Sequence, residues 1–346
     1  MSIKRISIDE FLETKQNLII LDVRSPLEFD HAHIPNAVNT PLFTNEERKI
    51  VGTLYKQEGK HAAIKTGLGF FGVKMKHYVE NVESIYKINS TKKILVHCWR
   101  GGMRSAAIAW LLDLYGFEVR VLNRGYKEYR TWSLCQFEKS YNFKILGGFT
   151  GSSKTELLAE IKKNNNATID LEFLANHKGS AFGGIGQPNQ PSQEMFENLL
   201  AKELYQNSMH SNKPIWIEDE SQRIGRVNLP HSLWKQIRKS PLYFIDIPFE
   251  KRAAYILQQY GTLNIDLLIT ATERISKRLG PNETKICINY LKENKITEAI
   301  KILLSYYDKG YVKAMNQRET LQEQLTTISS PTFNPIQNIK LLKNYL

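Results

Sequence analysis

The sequence predicts two α/β domains, each built on a parallel sheet, with a helical and basic region at the C-terminal end. Three observations carry this. Short apolar runs alternate with helical patterns from residue 1 to about 135, and the same alternation restarts at Phe143. Strands that alternate with helices imply a parallel sheet covered on both faces. The 346 residues also exceed what one hydrophobic core usually organises. A polar segment over 134–142 supplies the boundary. The expected divisions are 1–136, a domain core over 137–250, and a helical part over 251–346.

Taken in order, Leu18–Leu21 reads as a strand ending at Asp22-Val23-Arg24-Ser25-Pro26. Glu28–Ala37 reads as a polar connection closed by Pro35, and residues 44–90 as a long, mostly helical insertion holding Gly67, Gly69 and Gly72. Ile94–Val96 is the next strand, Ser105–Leu112 a helix, and Glu118–Leu122 a further strand. In the second half Phe143–Leu146 is a strand, Gly147–Thr155 a loop, and a helix begins at Glu156. Ala167–Asp170, Pro214–Ile217 and Leu242–Asp246 complete the strands, and the Gly- and Gln-rich stretch Gly179–Gln193 is a functional loop, ordered or partly mobile. Ligands of such sheets sit outside the carboxyl ends of the strands. Asp22, Arg24 and Cys98 all fall there.

The stretch 92–105, Lys-Lys-Ile-Leu-Val-His-Cys-Trp-Arg-Gly-Gly-Met-Arg-Ser, organises the first half. A strand delivers Cys98 to a loop of Arg100, Gly101, Gly102, Met103, Arg104 and Ser105, and a helix follows. Backbone N–H groups and a helix N-terminus aimed at one spot make an anion cradle. Arg100 and Arg104 are expected to add charge-assisted bonds. A thiol in such a place is favoured as the nucleophilic thiolate.

Composition narrows the class. Hydrophobic content of 42% with 24% charged residues is that of a globular chain, and no apolar run is long enough for a membrane span. The first ten residues lack the apolar core of a secretory signal, so a cytoplasmic location is expected. Cys98, Cys135 and Cys287 are too far apart for a disulfide framework or zinc spacing. No metal is assigned with certainty. The 47 Lys plus Arg against 35 Asp plus Glu, a net +12, suggest a polyanionic partner such as nucleic acid.

The loop after Phe143–Leu146 resembles a P-loop, G-x-x-x-x-G-K-[ST] between strand and helix. Its positions are Gly148, Thr150, Gly151, Ser152, Ser153, Lys154 and Thr155, with Ser153 standing where the second glycine is usual. A side chain there is expected to crowd the backbone approach to phosphate or to favour another loop conformation. Trp216-Ile217-Glu218-Asp219-Glu220 is an apolar strand ending in carboxylates. With Asp170, Glu218 and Asp219 are the candidates for Mg²⁺ or substrate, since Mg²⁺ takes oxygen ligands. The cluster from Asp170 through His177 to Gly183 is a further phosphate-site candidate whose roles stay open. Arg274, Lys277 and Arg278, with Lys285 and Lys292, offer a phosphate-backbone stripe, whose signature would be salt-dependent affinity.

Together these residues resemble the bacterial tRNA 2-selenouridine synthase family, a rhodanese domain fused to a P-loop domain. The first half is similar to rhodanese in Asp22-Val-Arg-Ser-Pro-x-Glu28-Phe29, His33-Ile-Pro-Asn-Ala-Val-Asn39 and the Cys98 loop. More particular to the family are Asn45-Glu-Glu-Arg48, Val51-Gly-Thr-x-Tyr-Lys-Gln57 and Cys98-x-Arg-Gly-Gly-x-Arg-Ser105. Asp170-Leu-Glu172, His177-x-Gly-Ser-x-Phe-Gly183, Phe196-Glu-Asn-Leu-Leu200, Glu218-Asp-Glu-Ser221, Arg278-Leu-Gly-Pro281 and Tyr306-Tyr-Asp308 continue the likeness through nearly the whole chain. The resemblance implies replacement of the sulfur of wobble 2-thiouridine by selenium from selenophosphate, by way of an S-geranyl intermediate made from geranyl diphosphate. It implies capture of selenium at Cys98, diphosphate on the P-loop with Lys154 at the leaving group, and tRNA met at its anticodon region. No tightly bound cofactor is expected beyond these co-substrates, with Mg²⁺ left open. The selenophosphate-producing enzyme is a candidate partner, and a monomer is expected. Two positions depart from the family, Ser153 and Arg124, the latter preceding Gly125 where a second glycine is common. Two rival readings stay open: a cysteine phosphatase, from His97-Cys98-x5-Arg104-Ser105, and a P-loop NTPase or kinase with a regulatory rhodanese-like domain.

Overall fold

Runs of four or five apolar residues between polar turns become strands buried on both faces, as parallel sheets require. A computed structural model describes residues 3–14, 17–89, 93–209 and 213–346. Ser90, the end of the expected helical insertion, and Lys92, the first of the cysteine stretch, lie outside them. The chain forms two units, Met1–Gln136 and Phe137–Leu346.

In the first unit β1 (Lys4–Ile6), β2 (Ile19–Asp22), β3 (Val38–Asn39), β4 (Lys93–His97) and β5 (Glu118–Leu122) form a sheet ordered β1-β5-β4-β2-β3. Every pairing is parallel. The insertion is three helices, Asn45–Gln57, Lys60–Gly72 and Met75–Asn89. A capping box starts the first: Thr44 Oγ1 accepts from Glu47 N–H, and Thr44 N–H donates to Glu47 Oε2. Phe43, Phe71, Tyr78 and Val82 pack with Leu21, Val96, Ile108 and Leu112 into one core. The connection after Pro26 is not merely polar loop. It holds a helix, Pro26–His31, because proline opens it and Ser25 N–H and Oγ both donate to Glu28.

The second unit holds β6 (Phe143–Gly148), β7 (Thr168–Ile169), β8 (Ile215–Glu218), the antiparallel pair β9 (Arg223–Ile224) and β10 (Val227–Asn228), β11 (Leu242–Asp246) and β12 (Leu325–Ser329). Its main sheet runs β12-β11-β6-β8-β7, all parallel. The region over 251–346 is therefore not wholly helical. After the helices Ile265–Arg274, Pro281–Lys292 and Ile296–Met315 the chain returns to the sheet edge as β12. Ile328, Phe333, Ile339 and Tyr345 then pack on Leu146, Leu158, Trp216 and Ile245. Edge position explains why this strand lacks an apolar run: none of its five residues is fully buried.

Both β4 and β6 lie third of five in their sheets, and the two loops singled out by sequence leave their carboxyl ends. The helix after the second loop begins at Lys154, two residues before its expected start.

Candidate functional sites

Cys98 follows β4 directly and is buried, 3% exposed. Its Sγ lies 3.3 Å from Ser105 Oγ, which also bonds the Gly102 carbonyl at 3.0 Å. The helix Met103–Tyr115 starts from Gly102 with no side-chain cap, so its first-turn amides open onto the loop. The turn after β5 clamps the loop: Tyr126 N–H donates to the Cys98 carbonyl and Lys127 N–H to the Trp99 carbonyl, each at 2.9 Å. Gly125 allows this approach. At φ 57° a Cβ there would stand 2.2 Å from the Cys98 carbonyl oxygen. Arg124 beside it holds φ 55°, so the departure from glycine falls on a left-handed backbone, and its guanidinium pairs with Glu128 at 3.1 Å.

Asp22, Arg24 and Arg104 take other parts than free anion ligands. Arg24 is 1% exposed and chelates Asp22, with Nη2–Oδ2 at 2.6 Å, and reaches the Ala32 carbonyl at 2.7 Å. Its guanidinium lies 3.9 Å from the centre of the Tyr126 ring. Burial alone would raise the Asp22 carboxyl; His97 and the chelating Arg24 reverse this and hold it below its usual range. Burial pushes the fully buried His97 imidazole below its usual value against the pull of Asp22, whose Oδ2 lies 3.8 Å from Nε2. Asp22 and Arg24 thus support the loop from beneath. Arg104 is bidentate to Glu28, at 2.7 and 3.2 Å, so its charge is already balanced. Arg100 is exposed at the loop surface.

The second loop is held by helices distant in sequence. Arg252, 4% exposed, donates to the Thr150 carbonyl at 3.1 Å and is bidentate to Asp308 at 2.9 and 2.8 Å. Tyr311 Oη donates to Asp219 Oδ2 at 2.6 Å and accepts from Gly148 N–H at 3.4 Å. Ser153 occupies φ 50°, ψ 39°, the conformation a glycine would adopt freely, and its Oγ donates to the Phe333 carbonyl at 2.6 Å. The expected crowding is resolved this way: the backbone keeps the left-handed turn and the side chain points to the C-terminal segment. Lys154 Nζ bonds the Gly148 carbonyl at 3.0 Å, and Thr155 Oγ1 bonds Glu172 Oε2 at 3.1 Å. Ser152 is buried with an unpartnered Oγ.

The carboxylates divide unexpectedly. Asp170 caps the helix Leu171–Ala175 through Phe173 N–H at 2.8 Å, and Glu218 is fully buried, accepting from Glu172 N–H at 2.8 Å. Asp219 is occupied by Arg318 at 2.7 Å as well as by Tyr311. These three do not form a Mg²⁺ ligand set, and no group of three His, Cys, Asp or Glu among the described residues does. Of the three only Asp219 lines the cavity beside the loop, where Glu172 and Glu220 join it. Burial raises both glutamates. Repulsion from Asp170 adds to it at Glu172, where Lys154, Thr155 and a hydrogen bond with Glu220 work against it. Repulsion from Glu172 adds to it at Glu220, which is pushed up to about 8 despite Lys154.

A cavity of about 1110 Å³ opens from the loop residues Thr150–Thr155. Much of its lining is apolar: Ile256, which packs against Gly151 of the loop, with Leu268, Leu291, Ile300 and Leu303, and Tyr260 and Tyr307. Lys178, Gly179, Ser180 and Phe182 of the third cluster line it, as do Arg238, Arg278, Lys309 and Lys313. Gly179, at φ 66°, lets Glu220 come close, since a Cβ there would stand 2.8 Å from its Oε2. His177 is absent from the lining, and Arg274 and Lys277 are exposed on the neighbouring helices. The loop was legible from its glycines. The apolar walls and the Arg252, Tyr311 and Arg318 supports were missed, because they converge from separated helices with no shared motif.

The sequence profile of the tRNA 2-selenouridine synthase AAA domain matches residues 141–327, and that of the rhodanese-like domain residues 7–131. A tRNA 2-selenouridine synthase of Sulfurovum sp. (strain NBC37-1) is 36% identical over 326 residues, covering 86% of this chain and 88% of that protein. One from Nitrosomonas eutropha is 37% identical, covering 87% and 89%. One from Marinobacter nauticus is 32% identical, covering 91% and 93%. No helix among the described residues is long and apolar enough to cross a membrane.

Proposed function

The chain belongs to the tRNA 2-selenouridine synthase family, and from that premise we propose that it converts wobble 2-thiouridine to 2-selenouridine in two steps, one at each anion loop. The observation that carries the first step is one cavity lined both by a phosphate loop and by apolar side chains. Geranyl diphosphate has these two chemistries in one molecule. In this step the 2-thio sulfur attacks C1 of the donor, a C–S bond forms, and the C1–O bond breaks. The electron pair leaves with diphosphate, and the base loses its N3 proton. The P-loop amides, Lys154 and Thr155 meet the growing charge on the leaving group. Arg252 and Tyr311 hold that loop in place beforehand.

The second step uses the Cys98 loop. Selenium in selenophosphate is already at the selenide level, so exchange for sulfur needs no electron donor. Cys98 thiolate attacks phosphorus, an S–P bond forms, and the P–Se bond breaks with its electron pair on selenium. Water later cleaves the S–P bond to phosphate and free thiol, with Ser105 Oγ 3.3 Å from Sγ as its hydrogen-bond partner. The selenide adds at C2 of the S-geranyl base and geranylthiol leaves.

Incubation with 2-thiouridine tRNA and geranyl diphosphate, followed by nucleoside mass spectrometry, tests the reading. S-geranyl-2-thiouridine should accumulate, and selenophosphate should convert it to 2-selenouridine. Unchanged 2-thiouridine under both conditions would refute it. Rapid hydrolysis of a generic aryl phosphate, lost in Cys98→Ser, would favour the phosphatase.

A further inference from the structure

We propose that Trp99 is a stacking platform that holds an unpaired base of the tRNA anticodon loop over the Cys98 loop, with Arg100 and Lys127 against the flanking phosphates. The inference rests on the reading of that loop as the selenium site acting on tRNA. Trp99 directly follows the buried Cys98, yet is 38% exposed. Large aromatic side chains ordinarily cover themselves, and this one is fixed from below while remaining open. Its ring packs on the buried Tyr126 at 5.5 Å between centroids, and the Arg24 guanidinium lies 6.0 Å from its centre. Arg24 is itself locked by Asp22 and Ala32. A buried ion pair therefore braces an exposed indole, a preorganised surface of the kind that single-stranded nucleic acid stacks on.

The charges around it fit the same partner. Arg100 is the next residue and is exposed, and Met103 at 54% exposure continues the apolar surface. Lys127 and Arg124, both exposed, are brought to the loop by the backbone bonds to Cys98 and Trp99. Glu128 offsets Arg124, which leaves Arg100 and Lys127 as the cations for phosphate. Aromatic face plus flanking cations is the chemistry of an unstacked base and its backbone.

The test uses the full chain and a tRNA already carrying S-geranyl-2-thiouridine. Trp99→Ala should raise the KM for this tRNA about ten- to hundredfold, the range of one lost base–aromatic stack. Trp99→Phe should recover most of that loss, whereas Trp99→Leu, apolar but not aromatic, should not. An unmodified anticodon stem-loop RNA should quench tryptophan fluorescence, and the Trp99→Phe protein should lack that part of the quench. A wild-type KM in Trp99→Ala, or rescue by Leu equal to that by Phe, would overturn the platform. If the wild-type chain makes no selenouridine, the functional reading fails, and the quench still decides the platform by its presence or absence.

Discussion

Ser153 gives the sharpest stability test, because two opposing terms act on one side chain. An L-residue held at φ 50°, ψ 39° costs roughly 1–2 kcal/mol. The 2.6 Å bond to the Phe333 carbonyl returns about 0.5–1.5 kcal/mol. Ser153→Gly removes both and adds about 0.5–1 kcal/mol of unfolded-chain entropy, so its net change should stay within about 1 kcal/mol of zero. Ser153→Ala keeps the strain and loses the bond, and should cost about 1 kcal/mol. For a unit of this size that is roughly 2–4 °C in melting temperature by scanning calorimetry. The order expected is wild type and Gly close together, with Ala below both. An alanine variant as stable as wild type, or glycine clearly below alanine, would refute the account of this position.

Three further outcomes follow from the geometry. Lys154→Ala should slow single-turnover geranyl transfer by roughly 10²–10³, the usual loss for one leaving-group contact, measured on 2-thiouridine tRNA. Gly125→Ala would drive a Cβ to 2.2 Å from the Cys98 carbonyl, so selenation of geranylated tRNA should collapse while geranyl transfer persists. Glu220, pushed from 4.5 to about 8, is protonated in the fold at low pH. Its folded value lies above the unfolded one, so its contribution is complete below 4.5 and is lost as pH rises through about 8. Denaturation of Glu220→Gln across that range should show a flatter decline than wild type.

What could be read in the sequence was what local chemistry dictates. Glycines and a lysine between an apolar run and a helical pattern located Gly148–Thr155, and Cys98 with its glycines located the other loop. Alternating strands and helices gave both parallel sheets. What escaped depended on partners far away in the chain. Arg104 looks free until Glu28 is seen 76 positions earlier in sequence and 2.7 Å away in space. Asp22 and Arg24 sit at a strand end, where ligands bind, but their mutual attraction is satisfied below the surface. Strand β12 carries two threonines and half-buried neighbours, the pattern of an edge, and reads as helix or loop. Both departures from glycine, Ser153 and Arg124, kept the left-handed backbone and spent their side chains on local partners.

The division of labour between the loops is the central claim, and one measurement meets it directly. Geranylated tRNA and selenophosphate are supplied to Cys98→Ser and to Lys154→Ala, and 2-selenouridine is quantified by mass spectrometry. The account predicts no selenouridine from Cys98→Ser and near wild-type yield from Lys154→Ala. Selenouridine from Cys98→Ser, or equal loss in both variants, would contradict it.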